Sequence, residues 1–299
     1  MLDLFFQVIL PVFLVFLAGF GAQRILKLDV KSVSTAALYI MTPALIFDTF
    51  YKAKLDSTYL NIIIYSVLLT GVIILIVQAV AAVRHYSQSE TSGLILSTAF
   101  MNNGNLGAPV ILFALGESGF QYAIAIMLFH TIVMSTIGIY YAAKGKFPLK
   151  ESLLSVAKMP IMHGALLGLI WQVFHLPMPD NLAKTITMIG DAAIPTIMMV
   201  LGLQLAEIKV SRLSLEKAGL AIILRLLVSP LIAWGIVALL PVSGLLSKVM
   251  IIEAAMPSAA ITTMYALQYD SEPDMVSSIT FITTMLSLIT LSVLMAWVL

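Results

Sequence analysis

Residues 100–109 read FMNNGNLGAP, a run whose side chains suit a polar binding loop. Asn102, Asn103 and Asn105 each offer an amide donor pair and a carbonyl acceptor. Gly104 and Gly107 let the chain leave helical geometry or let another backbone come close. Pro109 removes a donor and frees a carbonyl upstream. A second interrupted stretch, EAAMPSAAITT at 253–263, supplies Pro257, Ser258, Thr262 and Thr263. Four ionisable residues stand in otherwise apolar surroundings: Glu253 and Asp191, each four residues before a proline, Arg225, five before Pro230, and His130. A carboxylate beside an unwound helix can hold Na⁺, or carry a proton when burial raises its pKa. Glu253 is therefore a candidate Na⁺ ligand, and Asp191 a second candidate for ion coupling. Arg225, a further ion-coupling candidate, could neutralise either carboxylate, meet an anion, or only pair with one of the carboxylates to pin spans together. His130 is the weakest ion-coupling candidate of the four, since a lone histidine in a helix more often packs or hydrogen-bonds.

The elements that carry these residues must lie in a membrane. Of the 299 residues, 61% are hydrophobic and only 10% charged, with a mean hydropathy of +1.05. Soluble domains carry about 25% charged residues. The apolar runs are continuous rather than alternating, which excludes a β-barrel. A net charge of +1 gives no reason to expect a nucleic-acid partner. The absence of cysteine excludes disulfides, thiol catalysis and Cys-ligated metals. The sequence shows no HExxH, GxSxG or ATP-binding motif, so an intramembrane enzyme is disfavoured and no organic cofactor is expected. The four histidines, His85, His130, His163 and His175, have no metal-ligand spacing.

Spanning helices need about 20 apolar residues. Ten segments qualify: 4–23, 33–50, 59–82, 91–114, 119–142, 153–174, 181–206, 215–239, 247–268 and 275–298. The first charge is Asp3, and basic residues follow the first apolar run, which predicts a retained span rather than a cleaved signal. With both termini outside, the cytoplasmic loops hold Arg24, Lys27, Lys31, Arg84, Lys144, Lys146, Lys150, Lys158, Lys209, Arg212 and Lys217. The outer loops then hold only Lys52, Lys54, Lys184 and Lys248, so the positive-inside rule places both termini outside. Residues 1–143 and 153–299 read as two five-span halves joined by a basic linker at 144–152. Pro43 in the second span pairs with Pro195 in the seventh, and the broken fourth span with the broken ninth. An odd number of spans per half inverts the second half, and inverted repeats build their site where broken helices cross. Half-helix N-termini meeting there would favour an anion. The alternative is that the amides and small residues only pack helices together.

The segments TPALIF, NNGNLG, GDAAIPTIMMVLGLQLA, RLLVSP and EAAMPSA resemble the auxin efflux carrier family over essentially the whole chain. That family includes the plant PIN exporters and many compact prokaryotic members. The resemblance implies an all-α fold of ten transmembrane helices in an inverted 5+5 repeat with crossing helices 4 and 9, shared with bile acid:sodium symporters and related to NhaA-type antiporters. It implies a scaffold of spans 1, 2, 6 and 7, often dimeric, and a core of spans 3–5 and 8–10 that moves like an elevator. On this pattern Pro43 and Ile46 would face substrate from the scaffold, together with Asn102, Asn103, Asn105, Pro257 and Ser258 from the core. Asp191 would lie on the scaffold, away from the coupling ion, whereas Glu253 matches a sodium-ligating glutamate of the bile acid symporters. The PIN exporters are not thought to use sodium, so Na⁺ and H⁺ both stay open. The implied function is secondary transport of a small organic anion across the cell's inner or plasma membrane, coupled to H⁺ or Na⁺ or as a uniporter, with an anion channel as the alternative.

Overall fold

The computed structural model describes residues 2–53, 56–143, 150, 154, 156–208 and 214–299. Among these the chain is helical, and the only extended pairing is an isolated antiparallel bridge between Met101 and Ser258. The helices are α1 (Phe5–Leu26), α2 (Val30–Lys52), α3 (Ser57–Arg84), α4 (Gln88–Thr98), α5 (Asn103–Ala142), α6 (Pro160–Val173), α7 (Asp180–Glu207), α8 (Leu215–Leu239), α9 (Gly244–Ala254), α10 (Ile261–Tyr269) and α11 (Pro273–Val298). Seven of them, α1, α2, α3, α5, α7, α8 and α11, are long and apolar enough to cross a bilayer. Such helices are those of a multi-pass membrane protein.

The helices begin and end where local chemistry dictates. Asp29 and Asp56 accept the N–H groups of Lys31 and Thr58 and cap α2 and α3. At α4 a reciprocal capping box forms: Ser87 Oγ accepts from Glu90 N–H, and Glu90 accepts from Ser87 N–H. Lys217 of α8 pairs with the same Glu90, and Arg84 and Tyr86 both reach Glu216. The Lys217 ammonium and the Ser87 N–H hold the Glu90 carboxyl below its ordinary range. The α3–α4 turn is thus tied to the start of α8. Within α5, Gly116 adopts φ +67°, ψ −168°, a conformation that L side chains avoid, and the helix kinks there. Two sequence segments, 91–114 and 119–142, therefore meet at Gly116.

Backbone-to-backbone contacts hold two helix pairs together. The segment 193–207 of α7 runs along α1, and α6 runs along α2. A Cβ on Gly202 would lie 2.0 Å from the Phe16 carbonyl oxygen, and one on Gly19 would lie 2.2 Å from that of Met199. Gly164 and Gly168 of α6 press in the same way on the carbonyl oxygens of Pro43 and Phe47, at 2.4 and 2.6 Å. Small residues that admit such approach drive helix association in lipid, where apolar burial gives no advantage over the acyl chains. The remaining helices form a second cluster: α9 packs on α5 and α8, α3 on α5 and α8, and α11 on α4 and α8.

Gly202→Val is expected to separate α1 from α7, because overpacking against rigid backbone costs about 1–3 kcal/mol or more. Gly219→Val is the control, since a Cβ there meets nothing within 4 Å. Size-exclusion profiles in detergent should show an aggregated or depleted peak for Gly202→Val only. Equal monodisperse peaks for both would contradict the packing.

Several sequence expectations shift. The segments 91–114 and 247–268 are each two short helices around a break, at 99–102 and 255–260. The first break lies earlier than NNGNLG itself: Asn103–Gly107 already winds as a wide, π-helical first turn of α5, and Pro109 follows directly after it. The expected linker at 144–152 lies outside the described residues except for Lys150, as does the beginning of the segment 153–174.

Candidate functional site

The two breaks lie against each other. Asn102 N–H donates to the Pro257 carbonyl at 2.9 Å, and Ala259 N–H donates to the Phe100 carbonyl at 3.0 Å. This short ladder satisfies backbone groups that the broken helices leave free, as a water-poor interior requires. Ser258 is fully buried, and its Oγ donates to the Ser97 carbonyl at 2.5 Å. Ser258 N–H donates to Thr283 Oγ1 at 3.3 Å, which ties the crossing to α11.

Arg225 binds the C-terminal ends of both leading half-helices. Its Nη1 donates to the Thr98 carbonyl at 2.8 Å, and its Nη2 to the Ala254 carbonyl and, at 2.6 Å, to Ser229 Oγ. Ser229 Oγ itself donates to Ala254 O at 2.9 Å. The guanidinium is fully buried and makes no ion pair among the described residues. It compensates two negative helix ends.

The opposite ends of the broken segments open on a cavity of about 280 Å³, near the lower end of the range for ligand pockets, about 300–1,000 Å³. Asn102, Asn103, Gly104 and Asn105 line it at the start of α5, and Ala259, Ala260 and Ile261 at the start of α10. Asn102 Oδ1 accepts from Asn105 N–H at 3.2 Å and so caps α5. Asn102 Nδ2 and both polar atoms of Asn103 are buried without a partner. His130, Thr131, Ser135, Gln204 and Tyr265 add polar groups. Met101, Met127, Met134, Met159, Ile161, Ile197 and Val200 form the apolar wall, with thioethers that adapt readily to a ligand's shape. Among the described residues the lining holds no Asp, Glu, Lys or Arg. Two positive helix ends and a set of unpartnered amides, with no fixed counter-charge, can bind a small anion.

Glu253 sits in the last turn of α9, fully buried, with neither carboxylate oxygen hydrogen-bonded. It packs on Gly107: a Cβ there would lie 2.3 Å from Glu253 Oε2. Such a carboxylate needs a cation or a proton to be tolerated at depth.

The model of the membrane transport protein family matches residues 4–295, nearly the whole chain. The chain belongs to the auxin efflux carrier family of membrane transport proteins. An uncharacterized transporter of Methanothermobacter thermautotrophicus is 33% identical over 270 residues, which are 88% of this chain and 87% of that one. Another, from Methanocaldococcus jannaschii, is 30% identical over 98% of both chains. Auxin efflux carrier component 6 of Arabidopsis thaliana is 28% identical over 44% of this chain and 24% of its own length. These relatives are transporters, not enzymes.

Within this member of the auxin efflux carrier family, the residues singled out from sequence divide. Asn102, Asn103, Asn105 and His130 line one cavity. Pro257 and Ser258 do not; they build the crossing, and their successors Ala259 and Ala260 reach the cavity instead. Pro43 and Ile46 also lie off it: the Pro43 carbonyl meets Gly164, and Ile46 is fully buried. On α2 the cavity is lined by Ala37, Leu38, Tyr39 and Thr42, in and just after the π-helical turn at 37–41. Asp191 is exposed at a joint in α7 and makes no contact with Arg225 or the cavity. Arg225 caps helices rather than pairing with Glu253 or Asp191. Sequence reasoning missed Ser229, and it singled out Gly107 without its partner Glu253. Ser229 lies four residues after Arg225, on the same helical face, and that spacing is a usable signal. Nothing in the sequence announces the Gly107–Glu253 contact.

Proposed function

We propose that this protein is a secondary active carrier for a small organic anion held in the crossover cavity. The observation that carries this reading is the convergence of two half-helix N-termini and unpartnered amides on a cavity whose described lining has no charged side chain. The names of the plant relatives, auxin efflux carrier components, point to an organic acid as well. The ten spans form an inverted 5+5 repeat, with α4 and α9 as the leading halves of spans four and nine. The pairing of α1 with α7 and of α6 with α2 supports this, since the two pairs exchange under a five-span shift. Spans 1, 2, 6 and 7 are the scaffold, which would also carry any dimer contact. Spans 3–5 and 8–10 are the core that slides along it as an elevator. Both termini face outward across the inner or plasma membrane. Glu253 is the coupling residue, taking Na⁺ or H⁺.

Proteoliposomes test this reading. Preloaded benzoate or malate should accelerate uptake of the same labelled acid, a counterflow that a carrier gives and a channel does not. Uptake that never saturates and ignores internal substrate would support a channel and overturn the carrier reading. Glu253→Gln should abolish accumulation driven by a Na⁺ or proton gradient while leaving exchange intact. Gradient dependence equal to the wild type would make Glu253 purely structural.

A further inference from the structure

Of the four histidines, His130 is buried, whereas His85, His163 and His175 are exposed. Its Nε2 lies 3.2 Å from Met101 N and accepts that backbone N–H. A nitrogen that accepts an N–H bond carries no proton, so the neutral ring holds its proton on Nδ1. Nδ1 is buried and meets no partner in the protein. The Phe100 ring, 6.0 Å away between centroids, flanks the imidazole, and His130 lines the cavity. The ring is therefore fixed at one edge by the unwound segment between α4 and α5, and it offers an unused donor at the other.

We infer that His130 Nδ1–H is a substrate-binding donor, which hydrogen-bonds a carboxylate oxygen of the anion in the cavity. The role differs from ion coupling: the imidazole stays neutral and its tautomer is set by Met101. A bound carboxylate would thereby be linked through one ring to the backbone of the crossing itself. The inference rests on the anion reading above. It also adds a directional donor to a site where the helix ends alone would attract any anion, and directional donors are what set orientation in ligand pockets.

Two near-isosteric variants separate binding from structure. In His130→Gln the side-chain oxygen can take the Nε2 position and accept from Met101, while the donor at Nδ1 is lost. In His130→Asn the amide N–H takes the Nδ1 position, while the acceptor for Met101 is lost. The measurement is thermal unfolding of the purified full-length protein, titrated with benzoate and with malate, with benzamide as the uncharged control. Ligands that bind the folded state raise its apparent stability by mass action. The wild type should be stabilised by a carboxylate and not by benzamide. His130→Gln should unfold near the wild-type temperature without ligand but need about ten-fold or more carboxylate for the same shift. His130→Asn should unfold earlier without ligand yet keep an affinity within about three-fold of the wild type. A merely structural histidine predicts the reverse order, with Gln restoring binding and Asn losing it, and that result overturns the inference. A wild type that neither carboxylate stabilises overturns the anion reading and this assignment with it. A stabilised wild type with an unaltered His130→Gln overturns the assignment alone.

Discussion

Arg225→Met is expected to lower the thermal unfolding temperature more than any other single substitution at the crossing. The reason lies in what the guanidinium holds. α4 and α9 end at Thr98 and Ala254, and both carbonyls accept from Arg225. Two negative helix ends converge there, in a fully buried region. A helix end interacts with a partly buried cation by up to about 2 kcal/mol. A buried acceptor left without its donor costs about 1–3 kcal/mol more. Methionine fills much of the volume but supplies neither charge nor donor. Ser229 would still donate to Ala254, so the loss falls hardest on Thr98. Together these terms amount to about 3–5 kcal/mol, a large share of the 5–15 kcal/mol that holds a typical domain together. The unfolding temperature should fall by roughly 6 °C or more. Arg225→Lys should recover only part of this, because an ammonium is a single point and cannot fork between two helix ends. A methionine variant within about 2 °C of the wild type would show that the capping contacts contribute nothing.

Asn103→Ala is expected to leave stability unchanged and weaken carboxylate binding about ten-fold or more. Both polar atoms of Asn103 are buried and unpartnered, so no internal hydrogen bond is lost when the amide is removed. Hydrogen bonds to a charged partner contribute about 1.5–3 kcal/mol, which corresponds to roughly 10- to 150-fold in affinity. Asn103→Asp should have the larger effect, since it keeps the shape but sets a negative charge where an anion is to sit. Asn102→Ala makes a useful contrast. It also removes the cap on Asn105, at a cost of about 1 kcal/mol, so it should lower stability and binding together. Calorimetric titration with benzoate or malate, paired with unfolding curves, separates the two effects. Wild-type affinity in both Asn103 variants would remove that amide from the site.

The parts of this architecture that follow from residue type were legible in the sequence. Three asparagines beside two glycines and a proline cannot face lipid, and the structure puts a break beside them. The position of the break was not legible to within a few residues. Asn102 caps the next helix, and a π-helical turn absorbs Gly104 and Gly107, so winding resumes at Asn103. The roles of Arg225 and Gly107 were hidden for a different reason. The partners of Arg225 are mainly backbone carbonyls, which every residue has, and the neighbour of Gly107 comes from more than a hundred residues away. Pro43 and Ile46 were the residues that the family resemblance pointed to on α2. The cavity lining on α2 instead includes Tyr39 and Thr42, in and beside the π-helical turn at 37–41. Asp191 resembles Glu253 in sequence, each four residues before a proline, but only Glu253 is enclosed. Proline spacing reports a kink, not which side of it faces the protein.

The central claim is that the crossover cavity binds a carboxylate through helix ends and amides. Calorimetric binding of benzoate and malate, against benzamide, to the wild type and to Asn103→Asp tests it most directly. Saturable binding of a carboxylate, none of benzamide, and loss of that binding in Asn103→Asp is the result expected here. Equal binding of benzoate and benzamide, or carboxylate binding that Asn103→Asp leaves untouched, would contradict it.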